Sequence, residues 1–198
     1  MASISVAGDS SGSISIAAPS AAGSGVLTLP TGTDTLVGKA TTDTLTNKSI
    51  AATQLTGTIA AARLPAGSVL QVAFKTDTAA LATTSASYVA SGTFHSITPS
   101  SATSKILVII SGILDTDAIG RVADCTIFRD STNIGGNGLM RVSGTSTRSI
   151  SSVTMAFLDS PSTTSSVTYS CYVLSTSGQI EWNGSVKTNT VTLMEIAG

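Results

Sequence analysis

The chain has 198 residues, enough for one domain with a real core plus an appendage, or for two small domains. Only 11% of its residues are charged, against about a quarter in an average domain, and the formal net charge is −1. Ten scattered Lys and Arg form none of the clusters that phosphate-backbone binding needs, which argues against a nucleic-acid partner, while 41% hydrophobic residues and low charge argue against disorder.

The longest apolar run, Ile106 to Ile110, is far short of the ~20 residues that span a bilayer. The opening Met-Ala-Ser-Ile lacks the basic and apolar segments of a secretory leader, so the expectation is a soluble protein made in a cytosol. Serine and threonine fill the polar positions, and both suit the solvent face of strands and the turns between them. The chain reads as all-β.

In chain order, SISV (3–6), SISIAAP (13–19), GVLTLP (25–30) and DTLVG (34–38) are short alternating runs broken by Gly, Pro, Asp and Ser. Next come Leu45, Ile50, Leu55, Ile59 and Leu64, spaced about every five residues. One chain cannot bury such sparse anchors against itself, whereas three parallel copies could point them at a shared axis. A flexible linker is the alternative. A helix over Thr53 to Arg63 is possible but marginal, because Gly57 and β-branched residues offset Ala60 to Ala62.

From Ser68 onward the runs lengthen. Segments 68–75, 87–97, 105–114, 122–130, 149–159, 165–174, 178–184 and 189–197 are eight strand candidates bounded by turn signals such as DSTNIGGNG and DSPSTTSS. That spacing predicts a β-sandwich or jelly roll. Ile106 to Ile110, apolar on both faces, predicts a strand covered on both sides or lying at a subunit contact. Cys125 and Cys171 fall in alternating apolar segments and read as reduced core thiols, with a late disulfide as the alternative.

TLTNKSI (44–50), GTIAAARLPAGSVLQV (57–72), SITPSSATSKILV (96–108), IFRDSTNIG (127–135), FLDSPSTTSSVTY (157–169) and TLMEIAG (192–198) together resemble bacteriophage tail-fibre and related virion-fibre proteins, common among phages of aquatic bacteria. The resemblance implies a homotrimer with a virion-attachment region at 1–43, an intertwined neck at 44–67 and a C-terminal β-sandwich, jelly-roll-like head at 68–198. Leu45, Ile50, Leu55, Ile59 and Leu64 would then converge on the three-fold axis, and Pro65-Ala66-Gly67 would turn the chain into the head. Many fibres of this type carry a longer shaft, so attachment to a tail or to a capsid stays open.

No catalytic constellation stands out. His95 is the one histidine, set near a strand end, and no GxSxG, phosphate loop or HExxH occurs. Asp115 with Asp117, or Asp124 with Asp130, could form the paired carboxylates of a glycan-cleaving spike, but the acidic residues lie mostly in predicted turns. Asp159 and Asp130 read as turn residues accepting backbone N–H bonds. Trp182 beside Asn183 has the aromatic-plus-amide character of a receptor contact, with a core or trimer-interface ring as the alternative; Tyr88, Tyr169 and Tyr172 share that ambiguity. The expectation is a virion structural protein, not an enzyme and without cofactor or metal. It would bind a host-surface glycan or protein through its head and other virion proteins through its N-terminal region. A capsid decoration protein or head fibre is the alternative.

Overall fold

The computed structural model describes residues 3–7, 13–17, 31, 49–54, 56–57, 59–184 and 187–198. The expected strands at 25–30 and 34–38, and the anchors Leu45 and Leu55, lie outside these residues. The chain divides into two compact units, 1–56 and 57–198.

In the first unit, β1 (Ser3–Ala7) and β2 (Ser13–Ala17) pair antiparallel in unbroken register from Ser3↔Ala17 to Ala7↔Ser13. A 3-10 turn follows at Ala52–Gln54. The helix considered over Thr53 to Arg63 is not formed: a second 3-10 turn spans Ala61–Arg63, and Gly57 takes a φ of 94° that no helix accommodates.

The described residues of the second unit form an antiparallel β-sandwich of a six-stranded and a five-stranded sheet. The first sheet contains β3 (Val69–Asp77), β4 (Leu81–Thr83), β6 (Lys105–Thr116), β10 (Ser149–Asp159), β12 (Ile180–Trp182) and β13 (Asn189–Ile196). The second contains β5 (Val89–Ile97), β7 (Val122–Arg129), β8 (Thr132–Asn133), β9 (Met140–Ser143) and β11 (Val167–Ser175). All eight strands expected after Ser68 are present. The short β4, β8 and β9 were not anticipated, because two to four residues carry no readable period.

Strand β6 organises the first sheet. Strand β10 pairs along one of its edges from Ile106↔Asp159 to Thr116↔Ser149. Its other edge is shared, β13 covering residues 105–111 and β12 covering 114–116; β3 then lies beyond β13 and β4 beyond β12. In the second sheet β11 lies between β5 and β7, and β7 carries β8 and β9 on its far edge.

Alternation places the core between the sheets. Ile106, Val108 and Ile110 from β6, Val191 and Leu193 from β13, and Met155 from β10 face Cys125, Ile127, Tyr169, Cys171 and Val173 from the second sheet, all with at most 1% exposure. Leu107 and Ile109 on the other face of β6 are only partly covered. Both cysteines are free and buried, and burial, with Asp124 adding to it, pushes the Cys125 thiol up to about 12.

Trp182 fixes the spacing of this core. It is fully buried on β12, and a Cβ on Gly112 of β6 would overlap its ring. Its indole N–H donates to Thr93 Oγ1 on β5 at 2.9 Å, tying the two sheets together. A second tie runs from Asp159 of β10, which accepts from Arg129 of β7 (2.9 and 3.0 Å) and from the Tyr169 hydroxyl of β11 (2.7 Å). Asp159 is therefore an inter-sheet partner rather than the turn residue expected. Asp130 does sit in a turn, with φ at 51°, but its Oδ1 accepts from the Thr168 N–H of the neighbouring β11 at 3.0 Å rather than from an amide of that turn.

At the end where the chain enters the sandwich, Gly67 adopts φ of 89°, donates to the Ala197 carbonyl at 2.8 Å, and Ala197 donates to Ser68 at 2.8 Å. Glu195, fully buried beside this clamp, accepts from the Ser100 amide and hydroxyl (2.7 Å each) and from Gln71 (2.6 Å). Burial alone would push its carboxyl up, but these hydrogen bonds outweigh it and hold the group below its ordinary value.

Gly112→Ala is expected to destabilise the fold by about 1–3 kcal/mol through overpacking against Trp182, read from the denaturant midpoint by tryptophan emission. A carboxyl depressed in the folded state stabilises above its unfolded value and loses that contribution as pH falls through the folded one. The expected result is a denaturation midpoint that declines below about pH 4.3, and declines less steeply in Glu195→Gln.

Candidate functional site

The residues expected to contact a receptor lie inside the protein. Trp182 and Asn183 have no exposure. Of the two readings open for Trp182, its place is the core. Asn183 takes φ of 54° at the end of β12, where its side chain donates to the Lys187 carbonyl at 2.6 Å and accepts from the Lys187 N–H at 2.7 Å. The amide beside the aromatic closes a turn, so the receptor-contact expectation is withdrawn for both residues.

Among the neck anchors, Ile50, Ile59 and Leu64 are 48%, 51% and 36% exposed. Single copies thus leave them substantially in water.

The aromatic surface lies elsewhere, on the face of the five-stranded sheet turned away from the core. Tyr172 sits between the fully buried Cys171 and Val173, so alternation points it outward; Phe128 follows the fully buried Ile127 and does likewise. The register Ser170↔Phe128 and Tyr172↔Thr126 makes them diagonal neighbours on β7 and β11. Their rings stack with centroids 3.8 Å apart and an interplanar angle of 18°. Tyr88, just before β5, meets Phe128 edge-on at 6.2 Å and 63°. All three are half-buried.

A buried carboxylate adjoins the rings. Asp124 stands directly opposite Arg141 across β7 and β9, and their side chains form a bidentate pair at 2.6 and 2.7 Å. Asp124 is buried while the Arg141 side chain is 64% exposed, so the guanidinium lies over the carboxylate and faces solvent. Gly138 approaches both groups: a Cβ there would stand 3.1 Å from the Tyr88 hydroxyl and 3.5 Å from Asp124 Cβ. Burial pushes the Tyr88 phenol up, and the Asp124 charge adds to it. The face therefore offers aromatic rings for stacking and a solvent-facing guanidinium donor, with the Asp124 carboxylate beneath it taken up by Arg141.

The pairs weighed as catalytic carboxylates are each engaged elsewhere. Asp115 accepts from Arg148 at 2.7 Å, Asp117 forms an ion pair with Arg121 at 2.7 Å, Asp124 accepts from Arg141, and Asp130 from the Thr168 amide. Asp115, Asp117, Arg148, Thr116 and Glu181 line a hollow of about 220 Å³ at one end of the six-stranded sheet. Arg148 lies 4.0 Å from Glu181 as well, placing a positive charge between the carboxylates. Among the described residues no three His, Cys, Asp or Glu side chains are grouped to hold a metal ion. His95 is half-buried on β5, opposite Tyr169.

The signal for the aromatic face was the alternation CYV and IF, which sends Tyr172 and Phe128 away from the core. Nothing in the sequence placed Arg141 over Asp124, seventeen residues away.

No family model matches the chain, and no curated protein matches it. Among solved structures it is similar to the particle described as infectious bursal virus-derived T=1, at 10% identity and a TM-score of 0.38, covering 66% of this chain and 37% of that one. Similar values hold for the Gt strain of infectious bursal disease virus (11%, 0.38, 66% and 39%). They hold also for the VP2 subviral particle of that virus (11%, 0.37, 66% and 38%). The chain thus spans well under half the length of these proteins, and likeness at this level carries no argument about what it does.

Asp124→Asn is expected to bring the Tyr88 ionisation part of the way down toward the ordinary value of about 10. A near-ultraviolet difference titration, with Tyr88→Phe identifying the signal, reads the shift; an unmoved Tyr88 would contradict the assigned contact.

Proposed function

We propose that this chain is a non-enzymatic virion structural protein, a short trimeric fibre whose β-sandwich head adheres to a host-surface glycan or protein. The observation that carries the adhesive role is the Phe128–Tyr172 stack, held half-exposed beside the Asp124–Arg141 pair. Rings fixed in this way lose little freedom on binding and stack on the apolar face of a sugar or a peptide side chain, while the guanidinium donates to hydroxyls or carbonyls. The resemblance of the quoted segments to virion-fibre proteins supports the fibre, as do Ile50, Ile59 and Leu64, apolar side chains that one copy leaves substantially in water. Three heads on one stalk add avidity to individually weak contacts.

The test is binding of the purified full-length chain to a glycan array and to fixed cells of aquatic bacteria. The wild type is expected to bind, and Tyr172→Ala to bind at least tenfold more weakly while its tryptophan emission stays native. Equal binding by Tyr172→Ala would remove the aromatic face from the adhesive surface. A wild type that binds no cell or glycan but associates with isolated virion shells would favour a capsid decoration protein instead.

A further inference from the structure

The outer face of the six-stranded sheet is divided into chemically distinct zones. Across its lower half, cross-strand register aligns two rows. Val72, Met194, Leu107 and Leu158 stand side by side on β3, β13, β6 and β10. Phe74, Thr192, Ile109 and Ala156 form the next row on the same four strands. Val72 is 57% exposed, Phe74 59% and Leu158 50%. Val69, opposite Ile196, extends the patch toward the end where the chain enters the sandwich, and Lys105, on the other side of Ile196, bounds it. Above the rows, Thr76, Thr190, Ser111 and Thr154 form a hydroxyl band, and beyond it Asp115, Glu181 and Arg148 make the far end charged.

Neither apolar row contains a charge, so a charged partner would lose hydration there without compensation. The occupant must itself be uncharged and apolar, and a second copy of this chain carries such a surface. Four strands at ~4.8 Å spacing, over the length from Val69 to Phe74, outline roughly 350 Å². A stable complex buries about 800 Å² on each partner. The sheet face therefore supplies under half of a lasting contact and needs an apolar neighbour to complete it.

The chain provides one at the same end. Residues 59–66 run into Gly67, which is clamped to Ala197, the residue after Ile196. Ile59 and Leu64 on that segment are exposed, and Leu64 lines a cavity with Leu70 and the C-terminal residues Ala197 and Gly198. The segment thus brings two exposed apolar side chains to the end of the sandwich at which the apolar rows lie.

We propose that the apolar half of this face is a contact between copies of the chain, completed by the segment containing Ile59 and Leu64. The inference rests on the fibre being an assembly of copies, and it assigns which face of the head turns inward. The aromatic face lies on the other sheet and stays free.

The experiment measures mass by light scattering on the full-length chain. The wild type is expected at three times the 19.7 kDa chain mass. Phe74→Glu is expected to weaken association at least tenfold, dissociating the assembly at micromolar concentration, and the milder Leu158→Thr to weaken it in the same direction. Ile119→Glu, at a residue 71% exposed outside both rows, is expected to leave the mass unchanged. Native tryptophan emission from Trp182 verifies that each variant is folded, and Leu158→Thr serves as the test should Phe74→Glu fail to fold. A trimeric wild type whose mass resists both substitutions would overturn this interface while leaving the trimeric reading intact. A monomeric wild type would overturn both.

Discussion

The contact on which the sandwich depends is Trp182 lying over Gly112. The ring occupies the space that any side chain at position 112 would fill, and its N–H reaches Thr93 on the opposite sheet. The largest side chain of the core is thereby locked to the central strand of one sheet and to an outer strand of the other. Asn189 joins the same group, donating to Thr93 Oγ1 at 3.1 Å and to the Ala79 carbonyl at 2.8 Å. A buried indole needs a partner for its N–H, and a hydroxyl from the facing sheet supplies one only when the sheets hold this separation. Specific polar geometry thus fixes a core that hydrophobic burial alone would leave free to slide.

With few charges available, the chain uses several of them inside. Asp159 gathers Arg129 and Tyr169 between the sheets, and Asp124 holds Arg141 across β7 and β9. Glu195 collects Ser100 and Gln71 next to the chain's point of entry into the sandwich. Each is a buried acidic group whose desolvation is offset by two or more donors, so its removal leaves donors unsatisfied rather than simply deleting a charge. Asp124, one of the acidic residues weighed for hydrolytic chemistry, is therefore a structural partner in this fold.

Strand alternation then gives the two outer faces different chemistry. On β6 and its neighbours the outward positions are aliphatic, with threonine and serine above them. On β7 and β11 they include the stacked Phe128 and Tyr172 beside the Asp124–Arg141 ion pair. A sandwich with an apolar zone on one outer face and an aromatic, hydrogen-bonding zone on the other can turn the first toward other copies and the second toward a ligand without competition between them. That division is the basis of the functional reading.

The sequence by itself determined eight strands and the sandwich they form, because period-2 alternation and turn residues are local signals. Segments such as KILVIISGIL and SISSVTMAFLD carry their inward face in their own order. The turn at Pro65-Ala66-Gly67 was legible for the same reason, since a glycine there can adopt the positive φ the chain takes. Tertiary structure decided which side chains reach solvent. Trp182 and Asn183 look alike on paper whether they bind a ligand or close a core, and only the packing of β12 over Gly112 buries them. Tyr172 becomes part of an aromatic surface because Phe128, distant in sequence, stacks on it across strands and Tyr88 meets Phe128 in turn, and Asp159 becomes a tie because Arg129 and Tyr169 arrive from the opposite sheet. Those encounters depend on strand pairing over long separations, which no local pattern encodes.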